Sequence, residues 1–158
     1  MSEAALHERT ADLPIVSPHG HTVPAWFAED RPFADPAELL IVPDHYLFRL
    51  LYSRGVPMES LGVGVPAEAR DSRAIFRRFA EHWHLLLGTP SRGWFAHTLR
   101  EVFGIDAPLT TDSADEIHDA IAAALATEAF RPRALLSRFG IEVLASTDAA
   151  LDSLDEHA

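Results

Sequence analysis

Two clusters of side chains in this sequence have the types and spacing that chemistry needs. His19 and His21 stand two apart, just after the apolar run Leu13-Pro14-Ile15-Val16. In extended backbone both imidazoles project from one face, so the pair can reach one metal ion. A catalytic zinc commonly has three protein ligands, and spacing identifies no third. The same pattern suits two hydrogen-bonded or exposed histidines in a loop rich in Pro and Gly, so the spacing by itself leaves both readings open.

The second cluster is Asp44-His45-Tyr46, with Arg49 one helical turn later. His45 and Arg49 are four apart and share a helical face, while Tyr46 can look toward a cleft. An imidazole, a phenol and a guanidinium at a helix start form a set suited to proton transfer and carboxylate binding. Against this, Asp44 is well explained as a helix cap, and Tyr and His at a helix end are commonly just half-buried. Other candidates weigh less. His82 and His84 flank Trp83 on one helix and face different directions; His97, His118 and His157 read as exposed or packing residues. Arg77-Arg78 reads as solvated helix surface, and Phe76, Phe79 and Trp83 as core rather than a ligand box.

The elements that must position these residues follow from periodicity and punctuation. Residues 13–18 are too short for a helix and suit a buried strand ending in a loop. Residues 24–28 suit a single helical turn. Asp35-Pro36-Ala37-Glu38 reads as a helix start, with Asp at the N-cap, Pro at the first helical position and Glu placed to close a capping box. Pro43-Asp44 opens the next helix, with Leu47, Leu50 and Leu51 at helical spacing and Gly55 as its left-handed stop. Residues 66–87 carry one apolar stripe and read as the longest helix. Residues 91–103 form another helix, stopped by Gly104. Ser113 with Glu116 forms a second capping box ahead of Ile117, Ile121 and Leu125. Pro132 starts a short helix, and Gly140 turns it into a strand over 141–146, the grammar of an αβ unit. About six helices thus lie between two strands, an edge of an α/β protein carrying a large helical insertion.

Composition bounds the partners. The chain has 158 residues, 47% of them apolar and 23% charged, which is ordinary for a soluble globular domain. A net charge of −11, with every basic residue an Arg, argues against a nucleic-acid surface. One or two Arg in a cleft can still hold an acidic small molecule. The absence of Cys excludes disulfides, thiolate metal sites and cysteine nucleophiles, and fits a reducing compartment. Neither a signal peptide nor an apolar run of membrane-spanning length is present, so the sequence reads as a cytoplasmic protein with no membrane partner.

Taken together, the clusters bring a family into view. Leu13-Pro14-Ile15-Val16, His19-x-His21-x-x-Pro24 and Asp44-His45-Tyr46-x-x-Arg49, then Gly55-Val56, resemble the opening of uronate (glucuronate) isomerases of the amidohydrolase superfamily. Gly88-x-Pro90-x-x-x-Trp94, Phe103-Gly104-Ile105 and Arg138-Phe139-x-Ile141-Glu142-Val143-Leu144-x-x-Thr147-Asp148 continue that likeness, with Leu154 and His157 trailing. Ser17, where an acidic residue is usual, suggests a divergent branch.

The resemblance implies aldose–ketose isomerisation of hexuronates, D-glucuronate to D-fructuronate and D-galacturonate to D-tagaturonate. It also implies the N-terminal part of a distorted (β/α)8 barrel, of about 250 residues plus insertions when whole. The expected organisation is a polar leader over 1–12, then a first strand, a helical insertion over about 24–139 and the second strand. By position, His19 and His21 correspond to first-strand ligands of a divalent metal ion, zinc foremost, and His45 and Tyr46 to residues beside the sugar. Arg49 matches the motif and braces it or contributes charge. The family's late-strand Asp and substrate-holding Arg residues are not in this chain, so it is expected to be inactive alone and to work, as a homo-oligomer or otherwise, only in the longer enzyme. Strands Ile15–Val16 and 142–145 are then expected to leave edges and apolar faces uncovered. Two other readings remain: a metal-dependent hydrolase or decarboxylase of the same superfamily, and a non-catalytic helical interaction domain.

Overall fold

Pro18 has no N–H to continue a ladder, and the first strand ends just before it. The structure, a computed structural model, describes residues 2–157. The chain divides into two compact units, one of residues Phe33–Thr127 and one of the segments that flank it.

In the flanking unit, β1 (Ile15–Ser17) and β2 (Ile141–Leu144) pair in parallel, Ile15 opposite Ile141, Val16 opposite Val143 and Ser17 opposite Leu144. The ladder opens with the Ile15 N–H donating to the Gly140 carbonyl at 2.8 Å and closes with the Ala145 N–H donating to the Ser17 carbonyl at 2.9 Å. Both strands fall where the apolar runs put them, with β2 two residues shorter than expected. The predicted burial is not observed: Ile15 is 48% exposed, Val16 60% and Val143 48%. Two strands protect only one edge of each other, and within this unit α8 (Pro132–Arg138) is the helix that packs against β2. The two strands pair with one another, and the outer edge of each, like their apolar faces, stays uncovered as expected.

The polar leader contains a helix, α1 (Glu3–Thr10), capped by the Ser2 hydroxyl accepting from the Ala5 N–H, and none of its residues is buried. α2 (Pro24–Glu29) ends at Asp30 in the left-handed conformation, φ 50°. Arg133 caps its open end: Nε donates to the Phe27 carbonyl at 2.6 Å and Nη2 to the Ala28 carbonyl at 3.0 Å. A guanidinium fork thereby satisfies carbonyls that the last turn leaves orphaned. Gly140, φ 63°, supplies the turn from α8 into β2 that the sequence predicted.

The unit Phe33–Thr127 is helical. α3 (Pro36–Leu40) starts as predicted, with the Asp35 carboxylate accepting from the Glu38 N–H at 2.8 Å. Its capping box stays open, because the Glu38 carboxylate is drawn to Arg70 instead. α4 (His45–Ser53) begins at Asp44 and buries Leu47 and Leu51. The helix expected over 66–87 is shorter: α5 runs Ser72–Glu81 and breaks at His82 into a tight turn at Trp83–Leu86. α6 (Pro90–His97) widens into a π-turn over Thr98–Val102 before Gly104. α7 (Ala114–Leu125) is the longest helix among the described residues. The second capping box does not form, because the Ser113 hydroxyl donates to the Pro108 carbonyl at 2.7 Å.

Phe76, Phe79, Leu86, Ile117, Ile121 and Leu125 are buried at the centre of this unit, as their helical spacing predicts. His118 is buried too, its ring Nε2 3.0 Å from the Ser72 hydroxyl, which itself donates to Asp35 at 2.6 Å. Outside that core, Arg77 and Arg73 on α5 reach Asp115 and Asp119 on α7. Hydrogen bonds from Arg77 and Arg73 respectively hold the Asp115 and Asp119 carboxyls below the usual carboxylate range. A depressed carboxyl stabilises the folded state above its ordinary value, near 3.9, and loses that contribution as pH falls through the depressed one. Thermal melts taken from pH ~5 down to pH ~2 should therefore fall more steeply for the wild type than for the Asp115→Asn, Asp119→Asn double variant. Parallel pH profiles would show that these exposed pairs contribute nothing.

Candidate functional site

The His19-Gly20-His21 tripeptide leaves the end of β1 and runs beside the residues that follow β2. Both imidazoles are exposed. Their Nε2 atoms approach to 3.1 Å, with ring centroids 4.8 Å apart and ring planes nearly perpendicular. One neutral ring can donate to the other at that distance. The same separation suits two ligands of one ion, since tetrahedral zinc with bonds of about 2.0–2.1 Å sets its ligand atoms about 3.3 Å apart. The donor set therefore fits a divalent metal through two imidazoles. Among the described residues, no group of three or more His, Cys, Asp or Glu comes together as metal ligands.

Short polar contacts fix the tripeptide. The Ser17 hydroxyl donates to the His19 carbonyl at 3.0 Å, and the Thr147 hydroxyl donates to the Gly20 carbonyl at 2.7 Å. A Cβ on Gly20 would sit 2.9 Å from the Ala145 carbonyl oxygen, closer than real Cβ atoms come, so this position needs glycine for space. Sequence reasoning named Thr147 only as part of a motif and gave Ser17 and Gly20 no task. No local signal pointed to the Thr147 contact, whose partner lies 127 residues away.

The other cluster belongs to the helical unit. The Asp44 carboxylate accepts from the Tyr46 N–H at 2.9 Å and the Leu47 N–H at 3.2 Å, so the cap reading of Asp44 holds. His45 and Tyr46 follow at the first turn of α4, both exposed, with ring centroids 4.2 Å apart and planes tilted by 33°. Tyr46 is 64% exposed, and Arg49, one turn on, is exposed as well. Burial thus assigns none of the three to the core, which is carried from the opposite face by Leu47 and Leu51. The exposed imidazole and phenol thus stand at the N-terminal, electropositive end of α4.

A helix-rich chain with a small parallel sheet defines the class, part of an α/β domain. The glucuronate isomerase family model matches residues 1–158. The chain belongs to that family. It is 57% identical over 156 residues to the uronate isomerase of Mesorhizobium japonicum, covering 96% of this chain and 33% of that protein. It is also 57% identical over 153 residues to the uronate isomerase of Sphingopyxis alaskensis, covering 97% of this chain and 32% of that one. The crystal structure of glucuronate isomerase from Caulobacter crescentus superposes with a TM-score of 0.92 at 51% identity, over 97% of this chain and 32% of that one. The uronate isomerase of Thermotoga maritima gives 0.85 at 27% identity with the same coverage. The chain spans about a third of the length of the relatives it matches. No helix among the described residues is long and apolar enough to cross a membrane.

Proposed function

We propose that this chain forms part of an aldose–ketose isomerase of hexuronates, converting D-glucuronate to D-fructuronate and D-galacturonate to D-tagaturonate. The observation that carries this reading is the 57% identity to a uronate isomerase, sustained over 96% of the chain. In this reading β1 and β2 are adjacent strands of a distorted (β/α)8 barrel, which their parallel pairing supports. His19 and His21 would hold a divalent ion, zinc foremost. Such an ion, when bound, supplies Lewis acidity toward a sugar oxygen.

The isomerisation moves a proton between two adjacent carbons and another between their oxygens, so the aldehyde carbon is reduced and its hydroxyl-bearing neighbour oxidised with no outside redox partner. The protein must therefore hold and pass protons. Tyr46 is suited to orient or relay the hydroxyl proton, and His45 to accept or return one beside it. Arg49 adds positive charge one turn away for a carboxylate-bearing substrate.

The test is a chimaera in which this chain replaces the matching third of the Caulobacter crescentus protein. It should form D-fructuronate from D-glucuronate, and replacing His19 and His21 together by alanine should abolish that. A folded chimaera that turns over neither uronate would overturn the assignment.

A further inference from the structure

Pro18 interrupts the ladder at the point where β1 must deliver two imidazoles. Beyond the Ala145 to Ser17 bond, the carbonyls of His19 and Gly20 are held by hydroxyls, of Ser17 and Thr147. The Ser17 contact spans two residues and closes only a local turn. The Thr147 contact spans 127 residues and ties the tripeptide to the chain that follows β2. Gly20 has no Cβ to keep it away from the chain after β2, and a Cβ there would come within 2.9 Å of the Ala145 carbonyl oxygen. The peptide between the two histidines is thus clamped on one side by close packing and on the other by a single hydroxyl.

We propose that Thr147 is a positioning residue for the imidazole pair: its hydroxyl, donating to the Gly20 carbonyl, sets the peptide plane between His19 and His21 and so the direction in which both rings point. The inference rests on the reading of His19 and His21 as metal ligands for its functional meaning, but the positioning itself is measurable without metal. Thr147→Val keeps shape and β-branching while removing the donor. Thr147→Ser restores the donor without the methyl group.

The experiment uses this chain with labelled histidines, at a pH above the ordinary imidazole range. In the wild type, nuclear Overhauser contacts between the His19 and His21 ring protons report the perpendicular pair. They should be lost in Thr147→Val and return in Thr147→Ser, while slow exchange of the Ala145 amide shows that the strand pairing survives in both. Titration with Co2+ alone should broaden both rings together, with half-saturation about five-fold higher in Thr147→Val, the worth of one net hydrogen bond. Ring contacts and Co2+ half-saturation unchanged in Thr147→Val, or not restored in Thr147→Ser, would overturn the proposal. Ring contacts that depend on Thr147 beside wild-type rings that ignore Co2+ would leave the positioning role standing and refute the metal reading.

Discussion

In the chimaera that carries this chain, His45→Ala should lower kcat/KM for D-glucuronate by about 10²–10⁴-fold, the range that a positioned acid or base contributes. Tyr46→Phe, which deletes one hydroxyl, should fall in the same range. Neither change should unfold the helix. Both side chains are exposed, α4 is capped by the Asp44 carboxylate, and its inward face is Leu47 and Leu51. Surface substitutions of that kind usually stay within about 0.5 kcal/mol of wild-type stability. Asp44→Ala supplies the opposite pattern, about 1 kcal/mol of lost stability through the cap. Kinetics and melts on all three variants separate the two roles. His45→Ala activity within a few-fold of the parent chimaera would place the proton chemistry elsewhere.

Phe79→Ala should destabilise the helical unit by about 3–5 kcal/mol, the largest single effect on folding expected here. Phe79 is fully buried, with its ring centroid 4.9 Å from Phe95 and 5.6 Å from Trp83. Trp83 is in turn pinned by Arg92, whose guanidinium lies 4.6 Å above the indole and donates to the Trp83 carbonyl at 2.9 Å. Neighbours held on several sides cannot collapse into the space left by a ring, so the cavity term adds to the lost burial. Phe79→Leu should cost clearly less. Denaturant unfolding followed through the buried Trp83 measures both, and a loss under about 1 kcal/mol for the alanine variant would mean that this core is far more plastic than its packing indicates.

Where the local signal is geometric and self-contained, sequence and structure agree. Asp35-Pro36 and Asp44 are helix starts because a carboxylate two or three residues before a free N–H can accept from it without leaving its own turn. Gly55 and Gly140 adopt positive φ where the sequence needed a stop or a turn. The apolar stripe of Ile75, Phe76, Phe79 and Trp83 is core because its period matches a helix. Disagreement arises where a side chain had a choice of partner. Ser113 and Glu38 were both placed to close capping boxes, and each found a stronger contact, at the Pro108 carbonyl and at Arg70. The helix predicted over 66–87 was cut back at both ends: the Asp71 carboxylate caps a start at Ser72, and at His82, whose ring meets the Arg78 carbonyl, the chain tightens.

The candidate site divides the same way. By itself the sequence singled out the candidate residues His19, His21, His45, Tyr46 and Arg49, because spacing and type are properties of the chain alone. It also determined that two short strands bracket a run of helices. Only the tertiary structure decided that these two strands pair with each other in parallel, and that the imidazole nitrogens meet at 3.1 Å over a glycine that could be nothing larger. It alone placed the Thr147 hydroxyl on the peptide between the histidines. The physical reason is range: periodicity and capping are written within a few residues, whereas a hydrogen bond spanning 127 positions exists only once the chain has brought its ends together.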